Sequence, residues 1–323
     1  MPKVSVVIPV YNTEALLDRT LTSVTRQTLS DIEIICIDDG SKDNSLTILQ
    51  SWQARDSRMR VIALPENGGV SRARNIGIDK AVSPYIYFLD SDDWIDDDYL
   101  EAMFLKADKT GQDVVVNGSI FIEHENETKA LNLNWEIKEE GFYPTSVIQS
   151  HLVSTCTRLY KREFLIRNGI RFPDIDNGED IYFSGLAEVL QEQSYVFFGP
   201  YFHYWQRAGS LSHLKNNVFK YILNCRLLYR ELVARGIALD GLRLIHFWVA
   251  SIDSQEDFNL IRDYLLEAGP AILEHRDRYT VLDNQVFDAI LSSPDYETFL
   301  ANHNPNIAVD YLRRRLKNGQ HDA

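Results

Sequence analysis

The chain has 323 residues, of which 45% are hydrophobic, 25% charged and 11% aromatic, a composition typical of a folded globular protein. Its 47 acidic and 33 basic residues give a net charge of −14, which repels phosphate and argues against a nucleic-acid-binding function. The three cysteines lie at spacings that fit no zinc motif, so we expect neither a disulfide framework nor a cysteine metal site. Because no stretch looks like a signal peptide or a membrane span, we expect a cytoplasmic protein.

Apolar, β-branched runs alternate with amphipathic helical segments over the first 110 residues. Strands are predicted at residues 4–10, 32–37, 60–64 and 85–89. A helix is predicted after each of the first three strands. This alternation predicts an α/β fold with a parallel, doubly wound sheet, in which the loops at the carboxyl ends of the strands form the ligand site.

The pattern changes after residue 110. A strand is predicted at residues 114–122, a polar hairpin at 123–138 and a further strand at 195–198, and we expect them to extend the first sheet into a mixed one. From residue 216 onward, strand signals stop and apolar residues recur at helical spacing. We therefore place a domain boundary near residue 215.

Carboxylates follow the second and fourth strands directly. Asp38 and Asp39 end the second strand, and the acidic run 90–93 follows the fourth. Carboxylates that converge at one edge of a sheet persist where a cation or a hydrogen-bond donor binds them. A divalent cation held by Asp90 and Asp92, with positions left for diphosphate oxygens, is therefore one expectation. A turn or a helix cap is the alternative, because Asp-x-Asp is also typical of those features.

Four motifs resemble those of the family 2 inverting glycosyltransferases, enzymes of the GT-A fold that use nucleotide-diphosphate sugars. In the family's order, these motifs occupy residues 4–12, 37–43, 67–77 and 88–93. Similarity to the acceptor-side half of that family is found at residues 158–160, 171–173 and 178–183, so that the resemblance reaches about residue 212. The resemblance covers about two thirds of the chain and none of the helical region.

The resemblance implies a mixed, doubly wound α/β catalytic domain of the GT-A type and a helical C-terminal extension. The expected ranges are 1–215 for the catalytic domain, 1–110 for its nucleotide-binding half, 111–215 for its acceptor-binding half and 216–323 for the extension. The implied reaction is a metal-dependent, inverting transfer of a sugar from a nucleotide donor. A UDP-sugar is the expected donor, and a hydroxyl of a saccharide or of a lipid-linked saccharide in polysaccharide assembly is the expected acceptor.

The same resemblance assigns donor-side roles to residues near the strand ends. The expected nucleotide- and donor-binding residues are Pro9, Tyr11, Glu14, Asp39, Gly68, Arg74, Asp90, Ser91, Asp92 and Arg207. Tyr11 would offer a ring face to the base, with ordinary packing as its alternative. Asp39 would accept the N3–H of uracil, because a carboxylate offers only acceptors. Arg74 would face the diphosphate or the donor sugar, whereas Arg72 points about 200° away from it on a helix.

Asp90 and Asp92 would bind Mn²⁺ or Mg²⁺ in this resemblance. His203 is the candidate third ligand, and a packed strand residue is its alternative role. Inversion requires a base that deprotonates the acceptor hydroxyl, and Asp180 matches the family's position for that base. Asp180 opens a helix predicted at residues 181–190, whose positive end would keep it ionised, and capping of that helix is its alternative role.

Arg158 and Glu179 are the expected acceptor-binding residues. Residues 156–160 read Cys-Thr-Arg-Leu-Tyr, where many relatives have Trp-x-Lys-Leu-Tyr, and this departure leaves the identity of the acceptor open. A nucleotidyltransferase is an alternative on a similar fold, but its basic triphosphate loop is missing, since residues 11–14 are neutral to acidic. A saccharide-binding module without catalysis is a third alternative, which the presence of Asp90, Asp92 and Asp180 argues against.

The helical region 216–323 has several alternative roles. It would serve as a buttress of the sheet, as the interface of a homodimer, or as a surface for another partner. Basic residues at 313–317 would alternatively place it peripherally on the inner face of the cytoplasmic membrane, where lipid-linked acceptors lie.

Overall fold

A computed structural model describes residues 1–124, 128–132, 137–148, 154–175, 178–206, 217–237, 252, 254–269, 276 and 281–302. The chain divides into two compact units, residues 1–213 and 214–323. All strands of the described residues belong to the first unit, and the described secondary structure of the second unit is helical. The assignment of nucleotide-binding and acceptor-binding halves within the first unit stays a prediction.

Eight strands of the described residues form a mixed sheet in the first unit. Side by side, they are β3 (Met59–Ala63), β2 (Ile32–Asp38), β1 (Val4–Val10), β4 (Tyr85–Phe88), β10 (Arg158–Lys161), β6 (Val114–Asn117), β11 (Gln193–Phe197) and β9 (Gly141–Pro144). The first four are parallel, whereas β10 runs antiparallel to both β4 and β6. The predicted α/β class with a doubly wound, mixed sheet is confirmed.

Strand β1 lies between β2 and β4 and all of its residues are buried. Such burial on both faces explains its unbroken apolar run. From β1 the chain continues to β2 on one side and later returns to β4 on the other. The carboxyl ends of β1 and β4 therefore form the switch point at which open α/β sheets bind their ligands.

Four helices connect the strands of the first part of the chain. They are α1 (Leu17–Thr25), α2 (Ser45–Gln53), α3 (Val70–Lys80) and α4 (Tyr99–Thr110). Helix α3 lies close against β1 because Gly77 has no side chain: a Cβ there would come within 2.2 Å of a Val7 methyl carbon. Buried residues of α1, such as Leu21 and Val24, join those of the strands in one apolar core.

The strand predicted at residues 114–122 is in fact two strands in two different sheets. Strand β6 ends before Gly118, and β7 begins after it in a second sheet. The order of that second sheet is β5 (Trp94–Ile95), β12 (Phe202–Trp205), β7 (Ser119–Glu123) and β8 (Thr128–Asn132). The Gly118 N–H donates to the Phe197 carbonyl at 2.8 Å, and a Cβ would lie 2.4 Å from the Phe198 ring. Apolar residues on both sides of the glycine hide this change of sheet from a pattern analysis.

Among the described residues of the first unit, the further helices are α5 (Thr145–Ile148), α6 (Arg162–Arg167) and α7 (Glu179–Gln191), and a 3₁₀ turn spans Thr155–Thr157. The helix predicted at residues 181–190 thus begins two residues earlier. Its N-cap is Gly178, whose φ is +84°, a conformation that glycine adopts without strain.

The second unit contains α8 (Asn217–Ala234), α9 (Gln255–Glu267), α10 (Val281–Ser292) and α11 (Tyr296–Asn302). Ile222, Phe258, Ile261 and Ile290 are fully buried within it. None of the helices in the described ranges is both long and apolar enough to cross a bilayer. The basic segment 313–317 lies outside the described residues.

Candidate active site

The ends of β1, β2 and β4 bring three loops together. Val10, the last residue of β1, pairs with Asp38 of β2, and the Asp39 N–H donates to the Val10 carbonyl at 2.8 Å. On the other side, Val7 of β1 pairs with Phe88, the last residue of β4. The acidic residues at the end of β2 (38–39) and those after β4 (90–93) therefore leave the sheet on either side of the loop that follows β1.

The loop after β1 is fastened to the loop after β2. The Asn12 side-chain oxygen accepts the Lys42 N–H at 2.7 Å, and Glu14 Oε2 accepts both the backbone and the side-chain N–H of Asn44 at 2.8 Å. Tyr11, between these contacts and β1, is 43% exposed. The ring of Tyr11 is thus accessible to a ligand, whereas the Glu14 carboxylate is engaged with the neighbouring loop.

Asp39 is buried and binds the glycine turn that precedes α3. Its Oδ1 accepts the Gly68 N–H at 2.9 Å and its Oδ2 accepts the Gly69 N–H at 2.8 Å. The neighbouring Asp38 has a buried Oδ1 that meets no hydrogen-bond partner among the described residues. Pro9 is buried within β1. The roles of these residues toward a nucleotide stay predictions.

Arg74 of α3 contacts both the acidic loop after β4 and the Glu179–Asp180 pair at the start of α7. Its side chain is 3% exposed. One terminal nitrogen, Nη1, lies 2.6 Å from Glu179 Oε1 and 3.0 Å from Asp180 Oδ1, and the other, Nη2, lies 2.7 Å from Asp90 Oδ1. Arg74 was expected to face the diphosphate or the donor sugar. In the structure its guanidinium is engaged by carboxylates of the acidic loop and of α7, and its expected role toward the donor stays a prediction. Arg72 is exposed.

Asp180 accepts hydrogen bonds from outside its own helix. Its Oδ2 accepts the Thr155 N–H at 3.2 Å and its Oδ1 accepts the Thr155 hydroxyl at 3.1 Å. Since Gly178 is the N-cap of α7, the alternative role of Asp180 as that cap is wrong. Its side chain is 23% exposed, so a substrate hydroxyl can reach it.

Several opposing effects act on the pKa of Asp180. Burial raises its pKa above the ordinary value, while the charge of Arg74 lowers it and that of Asp90 raises it. The positive helix end was expected to keep Asp180 ionised, but desolvation is the largest effect. A carboxylate with a raised pKa accepts a proton more readily, which suits a general base.

The two expected acceptor-binding residues are engaged elsewhere. Glu179 is 7% exposed and pairs with Arg74, and its burial raises its pKa. Arg158 is 1% exposed. It donates from Nε to Glu188 Oε1 and from Nη1 to the Ser154 carbonyl, both at 2.6 Å. The residue thus connects β10 to α7 inside the protein, and its expected role in acceptor binding stays a prediction.

The acidic loop after β4 offers a set of donors for a cation. Donor atoms of Asp90, Asp93 and Cys156 lie within 4.8 Å of one another. Burial raises the pKa of Asp93 well above its ordinary value, and the charges of Asp92 and Asp90 raise it further. A divalent cation relieves such repulsion, so the carboxylates of this loop fit a hard ion such as Mn²⁺ or Mg²⁺.

This grouping differs from the expected pair of Asp90 and Asp92. Asp93 was missed as a candidate, although its place directly after Asp92 in the acidic run was a signal. Cys156 is a poor ligand for a hard ion, because burial raises the pKa of its thiol and keeps it protonated. Ser91, between the aspartates, is 6% exposed, and its expected contact with the donor stays a prediction.

His203 is engaged through both of its ring nitrogens. Nδ1 lies 2.8 Å from Glu123 Oε1 and Nε2 lies 2.9 Å from Asp96 Oδ1. The ring also stacks on Trp94 with centroids 5.0 Å apart. These contacts agree with its alternative role as a packed strand residue, and the role of third metal ligand stays a prediction. Arg207, the last expected donor-binding residue, lies outside the described residues.

Two curated proteins illustrate what the chain resembles. The glycosyltransferase GlyA of Streptococcus pneumoniae is 33% identical over 66% of this chain, and the match covers only 32% of GlyA. An uncharacterized glycosyltransferase of Haemophilus influenzae is 35% identical over 68% of this chain and 84% of its own length. The chain thus spans about a third of the GlyA length but most of the Haemophilus protein.

Solved structures of TarS from S. aureus share the fold. Residues 1–349 of TarS superpose with a TM-score of 0.67 at 20% identity, over 89% of this chain and 90% of that one. The same protein in complex with UDP-GlcNAc gives a TM-score of 0.62 at 20% identity, over 90% of this chain and 79% of that one. The expected GT-A fold is thereby confirmed. The family model for glycosyl transferase family 2 matches residues 5–169, and the chain belongs to that family.

Proposed function

We propose that this protein is a metal-dependent, inverting glycosyltransferase that moves a sugar from a UDP-linked donor to a hydroxyl of a saccharide or of a lipid-linked saccharide. The observation that carries the proposal is that the Arg74 guanidinium contacts both the acidic loop after β4 and the start of α7. Arg74 lies 2.7 Å from Asp90 in the loop after β4 and 3.0 Å from Asp180 at the start of α7. This contact supports a leaving-group site at the acidic loop next to a general base at the start of α7.

The proposed reaction is a single displacement. The acceptor hydroxyl oxygen forms a bond to the anomeric carbon while the bond from that carbon to the diphosphate oxygen breaks, and UDP departs with the electron pair. Asp180 takes the hydroxyl proton, which makes the attacking oxygen more nucleophilic. Because attack and departure occur on opposite faces, the anomeric configuration inverts and no covalent enzyme intermediate forms.

The leaving diphosphate would depart on the side of the acidic loop. Asp90, Asp92 and Asp93 would bind Mn²⁺ or Mg²⁺ there, and such an ion would supply positive charge for the departing phosphate oxygens. A bound cation would favour the charged form of buried Asp93, whose pKa is raised by burial and by the charges of Asp92 and Asp90. Arg74 would keep Asp90 within reach of the ion.

The hydrogen-bond acceptors in the part of the site near Tyr11 fit a uridine base. The N3–H of uracil needs a hydrogen-bond acceptor, and Asp38 Oδ1 is buried without a partner in the described part of the chain. Asp39 retains further lone pairs beside its bonds to Gly68 and Gly69. The TarS structure with UDP-GlcNAc also favours a UDP-linked donor.

An assay of UDP release tests the proposal. UDP-GlcNAc, UDP-glucose and UDP-galactose would each be incubated with the native chain, with Mn²⁺ or with a chelator, in the presence of a mixture of saccharide acceptors. We expect UDP to be released from at least one donor when Mn²⁺ is present and not when the chelator is present. The anomeric configuration of the product, read by NMR, should be opposite to that of the donor. Release that does not depend on metal, or a product with retained configuration, would contradict the proposal.

A further inference from the structure

One face of α1 contacts the backbone of the acidic loop 90–93. The Thr20 hydroxyl is buried and lies 2.9 Å from the Ser91 carbonyl and 2.7 Å from the Asp93 carbonyl. A hydroxyl has one proton, which the two carbonyls share. Arg19 Nη2 donates to the Asp92 carbonyl, between them, at 2.9 Å. Two adjacent residues of α1 therefore bind three consecutive carbonyls of the loop.

Two indole rings and a further hydrogen bond fix the same loop. The Arg19 guanidinium carbon lies 3.6 Å from the centre of the Trp94 ring and 4.7 Å from that of Trp205. Stacking of this kind leaves the edge of the guanidinium available for a hydrogen bond. The backbone N–H of Trp205 donates to Asp93 Oδ1 at 2.8 Å. The loop is thus fastened by α1 on one side and by β12 on the other.

These contacts oppose a force that acts on the loop. Asp90, Asp92 and Asp93 repel one another, and a loop without fastening would move its carboxylates apart. A cation would then have to bring them together again, and part of its binding free energy would be lost. A loop that is already fastened spares this cost, which is the usual benefit of groups that orient metal ligands.

We infer that Thr20 and Arg19 are positioning residues that keep the acidic loop in the arrangement that binds a divalent cation together with the diphosphate of the donor. The inference rests on the proposed function. Neither residue touches the reacting atoms: both act through the backbone carbonyls of residues 91–93.

The test is a calorimetric titration of UDP with saturating Mn²⁺ and, separately, with a chelator. For Thr20→Val, which keeps the side-chain shape and removes the hydroxyl, we expect the gain in UDP affinity due to Mn²⁺ to fall about tenfold. The affinity in chelator should stay unchanged. Thr20→Ser should restore the gain. Thr25→Val is the matched control, because the Thr25 hydroxyl donates to the Leu21 and Thr22 carbonyls of its own helix.

Each outcome separates the two claims. If the native chain shows no gain in UDP affinity with Mn²⁺, the proposed function and this inference both fail. If the native chain shows the gain and Thr20→Val retains it, or loses affinity equally in Mn²⁺ and in chelator, the inference alone fails. Circular dichroism would show whether Thr20→Val folds. If it does not fold, Arg19→Met replaces it, and an undiminished gain in that variant overturns the inference.

Discussion

Arg74 brings one positive charge to three carboxylates, those of Asp90, Glu179 and Asp180. With all three ionised, the group has more negative than positive charge around a buried guanidinium. Protonation of a carboxylate or binding of a further cation relieves this excess. The pKa values of Glu179 and Asp180 are raised, chiefly by burial and further by a neighbouring carboxylate, which favours the first route, and a metal at the acidic loop would be the second.

The base assignment predicts the effect of Asp180→Asn. Removal of a general base lowers kcat by about 10²–10⁴-fold, while UDP binding should stay within about threefold of native because the proposed role of Asp180 is toward the acceptor. Glu163→Gln, at an exposed position of α6, is the control and should leave kcat unchanged. Steady-state assays and UDP titrations measure both quantities. A variant with more than a tenth of the native kcat would refute the assignment.

The charge of Arg74 predicts a change in the pH profile. Asp180 acts as a base only when deprotonated, so activity is present above its pKa and is lost as the pH falls through it. Arg74 lowers this pKa, and Arg74→Met should therefore move the acid limb of kcat/KM to higher pH, in addition to lowering activity. Arg74→Lys, which keeps the charge, should move the limb less.

Arg72→Met is the matched control for this profile. Arg72 belongs to the same helix but is exposed, so its removal should leave the limb in place. An acid limb that stays unchanged or moves to lower pH in Arg74→Met would show that Arg74 does not control the base.

At the residue scale, the acidic run after β4 and the Glu179–Asp180 pair were identified from the sequence. Residue type and position after a strand suffice for that, because parallel strands end at one edge. The partners of a side chain depend on packing between distant segments. His203 and Arg158 have the right chemistry for a ligand, yet Glu123, Asp96 and Glu188 already engage them.

At the scale of elements, the pair of Arg158 and Glu188 joins β10 to α7, and both side chains are 1% exposed. Arg158→Met leaves the Glu188 carboxylate buried without its partner, and we expect a loss of about 3–5 kcal/mol in the free energy of unfolding. Denaturant titration measures it. The double variant Arg158→Met/Glu188→Leu should recover part of the loss.

The exposed pair of Arg167 and Asp113 provides the control for that measurement. Arg167 is 53% exposed, so Arg167→Met should cost no more than about 1 kcal/mol. Equal losses for Arg158→Met and Arg167→Met would show that the buried pair has no special weight. The consequence would be that β10 and α7 are joined chiefly by apolar packing.

The predicted elements of the first 110 residues agree with the structure because a strand buried on both faces and an amphipathic helix each leave a distinct pattern. The change of sheet at Gly118 left no such pattern. It depends on the contact of this glycine with Phe197 and Phe198, which belong to a segment far along the chain. Local periodicity does not report such a contact.

At the scale of the whole molecule, the acidic chain, with a net charge of −14, collects further carboxylates at one edge of its main sheet. The proposed function explains why these carboxylates lie together, since a cation bound there would offset their charge and that of the donor diphosphate. The roles predicted for the helical region, in a homodimer or on a membrane surface, stay predictions. The site residues placed by the structure all belong to residues 1–213.

One measurement tests the central claim most directly: a calorimetric titration of UDP into the native chain with Mn²⁺ and with a chelator. The account predicts saturable binding that is at least about tenfold tighter with Mn²⁺, because the carboxylates of the acidic loop reach the diphosphate through a cation. Equal affinity under the two conditions, or no binding of UDP in either, would contradict the account.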